Sequence, residues 1–415
     1  MNIMLFSTKF EGINGKIKLR YSDFIVEELS IWHKCKVEFF SEEKKKVRLN
    51  SSLLNAQPKD KEHLILEMEK VNLETPIAIK KICRRLQISK KRVGFAGMKD
   101  KRAVTSQLIS IWNAPLQRLK EFKERSIFLK PVMFSSQRIE LGDLWRNKFT
   151  VTIRDIGLNE KEVKERWKKA KKELCKGVAN YFGIQRFGGA RQVSHIVGKE
   201  LLKNNFEKAV WVLLTKSSML EKEVVRKARE KLAKEKDFKK ALSYFPKECS
   251  IELAILNYLA EKENDYIGAL RKLPRHLLYL FTHAYQSYLF NKILDKRLKT
   301  IGLEKAEGDI LHNGIPTAAL FGYNVKLAKG IPGRIEREVL EEEGIKLEDF
   351  HNKKMPEISS KGSRRIIKVV PYNLKLLEIG KDEFNEGKLK MKIQFELDKG
   401  CYATTLLREI TKTEI

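Results

Sequence analysis

Apolar and polar residues alternate along several stretches of the chain. Between Arg146 and Arg154, Phe149, Val151 and Ile153 fall on one face and Lys148, Thr150, Thr152 and Arg154 on the other. That period of two predicts a half-buried strand with a basic outer face. Near the C-terminus Leu389, Met391, Ile393, Phe395 and Leu397 alternate with polar or charged residues, again a strand with one buried face. The same alternation from Lys16 to Glu28 predicts an early strand on which Lys18 and Arg20 share a face. His63 to Lys70 reads as a further strand, as does Ala103 to Trp112, which is rich in Val, Thr, Ile and Trp.

Helical spacing fills other stretches. Thr75-Pro76 is the pattern of an N-cap followed by proline at the first helical position, and Ile79, Ile82, Cys83 and Leu86 then recur at helical intervals. Asn159-x-x-Glu162 is a capping-box pattern, with Val163, Trp167, Ala170 and Leu174 behind it and Gly177 to close the helix. From about 191 to 365 the chain turns into long Lys-rich helical segments, including Leu220 to Phe245 and a helix starting near Pro274 whose Phe281, Tyr285, Tyr288 and Leu289 form a core stripe. Leu406, Leu407 and Ile410 anchor a terminal helix, whereas the charged, aperiodic residues 41 to 62 read as a loop.

Composition narrows the class. The 415 residues suffice for two or three domains, and 84 Lys plus Arg against 54 Asp plus Glu give a formal charge of +30. A folded chain this basic points to a polyanionic partner, nucleic acid first. No apolar run is long enough to span a membrane, and Lys9 and Glu11 come too early for a signal peptide, so a cytoplasmic protein is expected. Five scattered cysteines without a Cys-x-x-Cys pair predict free thiols, and the seven histidines show no metal-ligand spacing, so no metal is expected.

The chemistry gathers in two stretches. In Gly94-Phe-Ala-Gly97-Met-Lys99-Asp100-Lys101-Arg102, one acid stands among cations that favour its ionised form, which suits a base, nucleophile or ligand. Gly94 and Gly97 are expected to loosen the backbone ahead of it, on a loop between helix and strand. A bare Lys-Asp-Lys-Arg is ordinarily a solvated turn, so the surrounding residues decide the matter. The second stretch, Asn180-Tyr181-Phe182-Gly183-Ile-Gln185-Arg186-Phe187-Gly188, interleaves aromatics with amides and arginine, as a pocket for a flipped base would.

Both stretches closely resemble motifs of the TruD family of tRNA pseudouridine synthases, archaeal members in particular. Asp23-Phe24-x-Val26-x-Glu28 resembles the family's opening, with Tyr21-Ser22 where the family has Pro-Glu. Arg275 to Asn291 resembles a helix of its inserted domain, and Gly362-Ser-Arg364-Arg365 that domain's exit. The strand, glycine turn and helix around Cys401-Tyr402 resemble its third motif. The resemblance implies an α+β fold, a mixed and largely antiparallel sheet flanked by helices. The catalytic domain would comprise 1–190 and 366–415, split by a mostly α-helical TRUD domain at 191–365. It further implies a cofactor-free isomerase acting on uridine of tRNA, at position 13 in the family's usual case, and a monomer is expected. Asp100 would act on the sugar or on the base, paired with Lys18, or alternatively with Arg20 or Arg408. Asn180 and Phe182 would line the uridine pocket, with Gln185, Arg186, Lys99 and Tyr402 as further substrate-binding groups. A binding protein without catalysis would not need Asp100 intact, and a carboxylate hydrolase would need a second acid where this stretch has bases.

Overall fold

The computed structural model describes residues 4–41, 53, 60–189 and 191–413. Most of the stretch from 41 to 62, expected to be a loop, lies outside the described residues. Two compact units result, a sheet unit of residues 8–178 and 369–415, and a helical unit of residues 4–7 and 179–368.

The sheet unit is built on eight strands: β1 (Phe24–Leu29), β2 (His63–Val71), β3 (Val93–Phe95), β4 (Val104–Trp112), β5 (Ile127–Ser135), β6 (Arg146–Ile156), and the late strands Tyr372–Lys381 and Leu389–Asp398. Across the sheet they run Tyr372–Lys381, Leu389–Asp398, β6, β1, β4, β2, β5. Among the described residues of this sheet only β1 and β4 pair in parallel; its other ladders are antiparallel. β2 covers the whole of one edge of β4, so β1 and β3 share the other, β1 at Val104 to Ser106 and β3 at Ile109 to Ile111. Residues 96–103 connect β3 back to the start of β4.

Eight of the nine residues of β4 are buried, as expected of a strand covered on both faces. Helix α1 (Thr75–Leu86) covers one face, seating Ala78, Ile79, Ile82, Cys83 and Leu86 on Leu64, Leu66, Met68, Ile109 and Ile111. The other face carries carboxylates inward, and residues 36–40 lie over them. Glu67 accepts the Lys36 N–H at 2.6 Å, Glu27 the Val37 N–H at 2.9 Å, and Glu69 those of Glu38, Phe39 and Phe40. Buried acids here satisfy backbone donors that have no strand partner. The helix Glu160–Leu174 starts with the predicted reciprocal capping box, and both Asn159–Glu162 bonds measure 2.9 Å.

Three expectations are corrected. The early strand begins only at Phe24, because residues 14–23 form turns in which Asn14, Gly15 and Lys18 adopt left-handed φ. Asp23 enforces this: its carboxylate accepts the Arg20 N–H at 2.7 Å and the Arg154 Nε–H at 2.8 Å. The polar face of β6 is not an outer face, since Thr150, Thr152 and Arg154 are all buried. Arg154 lies in an ion cluster with Asp23 and Asp382. Gly94 does not loosen the backbone; it lies within β3, and a Cβ there would meet the Ile139 carbonyl at 2.3 Å.

The helical unit centres on the helix Arg275–Thr300, whose Phe281, Tyr285 and Leu289 are fully enclosed. Ser194–Leu202 packs against it so closely that a Cβ on Gly198 would lie 2.1 Å from the Phe281 carbonyl oxygen. The expected segment from 220 to 245 divides into Glu223–Glu235 and Phe238–Ala241. A small antiparallel sheet, Ile310–His312, Ile315–Leu320 and Ser363–Ile366, accompanies the helices.

Burial works against the Asp382 carboxylate, but the Asp155 N–H, the Asn385 amide, the Phe384 N–H and Arg154 together hold its pKa down at about 2. A folded-state value below the unfolded one gives stability that is present above the unfolded pKa and is lost as pH falls through the folded one. Urea unfolding should therefore show a midpoint that drops as pH falls from about 4 towards 2. Arg154→Met strands buried acids and should cost about 3–5 kcal/mol at neutral pH. A variant as stable as wild type would show that the cluster is dispensable.

Candidate active site

Asp100 stands on the loop 96–103, and almost every other group of that loop is tied to the sheet unit. Gln107 on β4 donates its amide N–H to the Gly97 carbonyl at 3.0 Å. Thr75 Oγ1 accepts the Lys99 N–H and donates to Gln107 Oε1, both at 3.1 Å. Thr75 is thus the first residue of α1 rather than its cap, which is Glu74, because its hydroxyl serves the loop instead. Lys70 on β2, fully enclosed, donates from Nζ to the carbonyls of Leu73 (2.7 Å), Asp100 (2.9 Å) and Lys99 (3.5 Å). The Asn72 N–H binds the Ala103 carbonyl at 3.1 Å and closes the far end of the loop.

The four consecutive charges separate. Lys99 turns into the core and pairs with Glu28, itself fully buried. Lys101 reaches Glu74 at 3.2 Å, and Arg102 the Leu19 carbonyl at 3.5 Å. The Asp100 carboxylate receives its cation from elsewhere: Lys18 Nζ binds Oδ1 at 2.7 Å across 82 positions of sequence. That ammonium also lies 3.9 Å from the centre of the Phe24 ring, a cation–π contact that gives it a second anchor. The Asp100 side chain is 37% exposed and that of Lys18 16%, so a reagent can reach the acid while the lysine stays sheltered. Arg20, the alternative partner, stacks on Phe384 instead. Arg408 is buried in the terminal helix Ala403–Thr411, and half-buried Tyr402 caps that helix.

Asn180, Phe182, Gln185 and Arg186 belong to the helical unit. The Asn180 amide is engaged at both ends: Nδ2 donates to the Ile366 carbonyl at 3.0 Å and Oδ1 accepts from Arg365 at 2.7 Å. Phe182 is clamped by Asn291, whose amide accepts its N–H (2.9 Å) and donates to its carbonyl (3.0 Å). Its ring meets Phe290 edge-on and has the Arg365 guanidinium 4.2 Å from its centre. Arg186 Nε donates to Ser287 Oγ at 3.1 Å, and Gln185 is exposed. A cavity of about 280 Å³ beside this segment is lined by Ile184, Phe187, His195, Tyr288 and Asn291. Burial lowers the His195 pKa to about 4, which leaves its imidazole neutral at physiological pH.

Lys70, Glu28, Arg365 and Asn291 were not among the expected site residues. Two of them carried a signal. In β2, Leu64, Leu66, Met68 and Lys70 share the face that α1 covers, and in β1 Glu28 follows Phe24 and Val26 in the apolar register. A charge in an apolar register has to be held by something.

Among the described residues no group of acids, histidines or cysteines could hold a metal, and no helix is long and apolar enough to cross a membrane. All five cysteines are free. Fold and site together define an α+β protein that presents one aspartate, salt-bridged to one lysine, on an immobilised loop of a mixed sheet. The family model for tRNA pseudouridine synthase D (TruD) matches residues 1–314 and 311–410. A relative from Methanosarcina acetivorans named "Probable tRNA pseudouridine synthase D" is 36% identical over 100% of this chain and 96% of its own length. A second so named, from Methanopyrus kandleri, is 40% identical over 85% of this chain and 86% of its own. A crystal structure described as tRNA pseudouridine synthase D (TruD) from Methanosarcina mazei superposes with a TM-score of 0.79 at 36% identity, covering 99% of this chain and 97% of that one. The chain belongs to the TruD family.

Thr75→Val keeps the volume of the side chain and removes the hydroxyl that joins Lys99 to Gln107. A buried N–H left without its acceptor costs about 1–3 kcal/mol. The unfolding midpoint should fall accordingly and the Lys99 amide should exchange faster with solvent; unchanged exchange would mean that the loop is held without this bond.

Proposed function

We propose that the protein is a tRNA pseudouridine synthase that converts uridine, at position 13 of tRNA, to pseudouridine, with Asp100 as the catalytic aspartate and no cofactor. The observation that carries this reading is the Asp100–Lys18 ion pair on a fixed loop, in a chain of the TruD family. The reaction breaks the N1–C1′ bond, turns the uracil, and joins C5 to C1′; a proton leaves C5 and one is gained at N1. A carboxylate serves either opening, attack at the sugar or attack on the base. Lys18 engages Oδ1 and leaves Oδ2 to meet a substrate atom.

On this reading residues 1–190 and 366–415 make up the catalytic domain and residues 191–365 the TRUD insertion, although 4–7, 179–190 and 366–368 fall in the helical unit. Asn180 orients groups at the uridine and Phe182 stacks on the base, on the ring face away from Arg365 or after Arg365 has moved. Gln185, Arg186 and Tyr402 add contacts to RNA, whereas Lys99, expected among the substrate-binding groups, is buried against Glu28 and is not counted with them. The formal charge of +30 suits a polyanionic substrate, bound by a cytoplasmic monomer.

Pseudouridine mapping in total tRNA incubated with the purified protein tests the assignment, and two variants test the mechanism. Asp100→Asn keeps the side-chain shape and removes the charge, so it should bind tRNA and form no pseudouridine. Lys18→Met should lower the single-turnover rate at saturating enzyme by about 10²–10⁴-fold while tRNA affinity changes little. Wild-type-like turnover by Asp100→Asn would refute the mechanism, and an unchanged Lys18→Met rate would remove Lys18 from the site.

A further inference from the structure

Lys70 is an ammonium placed where the sequence pattern of β2 calls for an apolar side chain, and it is wholly enclosed. Its partners among the described residues are backbone carbonyls, and none is a carboxylate. We propose that Lys70 is a positioning residue for the reaction: its three N–H donors gather the carbonyls of Leu73, Lys99 and Asp100 and so fix the direction in which Asp100 presents its carboxylate. This rests on the assignment of Asp100 as the reactive group.

The chemistry of the amine supports the role. An ammonium has three donors for three acceptors; the neutral amine has two, so one carbonyl loses its partner when the proton leaves. A methionine, which would suit the register, would leave all three without a donor. Asp100 and Lys99 on the loop, with Lys18 on the Asp100 carboxylate, and Glu74 ahead of α1 are the charges around the group. Beside it in the ladders are uncharged Thr105 on β4 and Ile127 on β5. Burial is the main influence and lowers the pKa of Lys70 to about 8, Asp100 and Glu74 opposing the fall and Lys99 adding to it. The ammonium form therefore predominates below about 8 and gives way to the amine above it. Loosening the loop by deprotonation removes the constraint on Asp100 without touching the surfaces that bind RNA.

The test compares full-length wild type, Lys70→Met and Lys70→Arg, reading single-turnover pseudouridine formation in tRNA and tRNA affinity from about pH 6 to 9.5. In wild type the rate should fall above about pH 8 at constant affinity. Lys70→Met should lose about 100-fold in rate, the scale of a misplacement of about 1 Å, with affinity within about 3-fold and no alkaline limb. In Lys70→Arg the guanidinium does not titrate, so the limb should vanish while part of the rate survives. A Lys70→Met rate within about 3-fold of wild type overturns the proposal, as does a wild-type rate flat to about pH 9.5. If Lys70→Met does not fold, Lys70→Arg decides, and an alkaline limb unmoved in that variant overturns the proposal. A wild type that forms no pseudouridine defeats the functional reading and this proposal together, whereas an active wild type with a fully active Lys70→Met defeats this proposal alone.

Discussion

Four consecutive charges, Lys99-Asp100-Lys101-Arg102, occupy a loop of eight residues, and an ordered loop requires that they be drawn apart. The chain bends through residues 101–103, where the Ala103 N–H bonds the Lys101 carbonyl, and each charge has its own partner. Lys99 goes down to Glu28, Lys101 out to Glu74, and Arg102 sideways to the Leu19 carbonyl. Asp100 is therefore left to a cation that is distant in sequence and sheltered, rather than to its immediate neighbours. The distinction matters for chemistry. A flanking lysine on a mobile loop screens an acid loosely, whereas an ammonium pinned by an aromatic ring keeps one geometry and leaves the second carboxylate oxygen open.

Much of this was legible beforehand, and what was missed has physical causes. Strands with a single apolar register, such as Leu389–Asp398, and the capping box at Asn159 and Glu162 declare themselves because one local preference dominates. Asp100 stands out by its neighbours and by its resemblance to a family motif; the cations adjacent to it in sequence bond elsewhere, whereas Lys18, the partner expected from the resemblance, does pair with it. The early strand failed because Asp23, a residue of low strand propensity, captures the Arg20 N–H and Arg154 at once. Only the fold brings Arg154 to that place, so no window of sequence could have weighed the bond. Lys70 and Glu28 were visible as charges in apolar registers, yet a pattern shows that such a charge needs a partner without showing which partner it has.

The second stretch gives a different lesson about resemblance. Asn180 and Phe182 were singled out for contact with a base, yet both first serve the helical unit itself. The Asn180 amide ties the chain to the strand Ser363–Ile366, and the Phe182 backbone closes a pair of bonds with Asn291. Such a residue can be indispensable for either reason, and loss of activity on substitution does not separate the two. Arg365 is informative because it contacts both, donating a hydrogen bond to Asn180 Oδ1 and placing its charge over the Phe182 ring. A guanidinium there offers flat stacking and fixed donors, the properties by which proteins hold bases.

The buried ion cluster at β6 and the half-buried pair at Asp100 belong to one chain of constraints. Lys18 adopts a left-handed φ of 58°, which is uncommon for a residue other than glycine, and it does so away from any helix end. The constraints lie on both sides of it in sequence. Upstream, Lys16 bridges to the Arg154 backbone, its N–H bonding the Arg154 carbonyl at 2.7 Å. Downstream, Asp23 fastens the Arg20 N–H and the Arg154 side chain. Arg154 thus grips the turn at two points, once through its backbone and once through its guanidinium, and Lys18 stands between them. Asp382 fixes the guanidinium from the late part of the chain. Arg154 is buried for this reason: it holds the turn that delivers the ammonium to Asp100, while the other polar groups of that register are met within the sheet, Lys148 by Glu27 and Thr150 by Gln394.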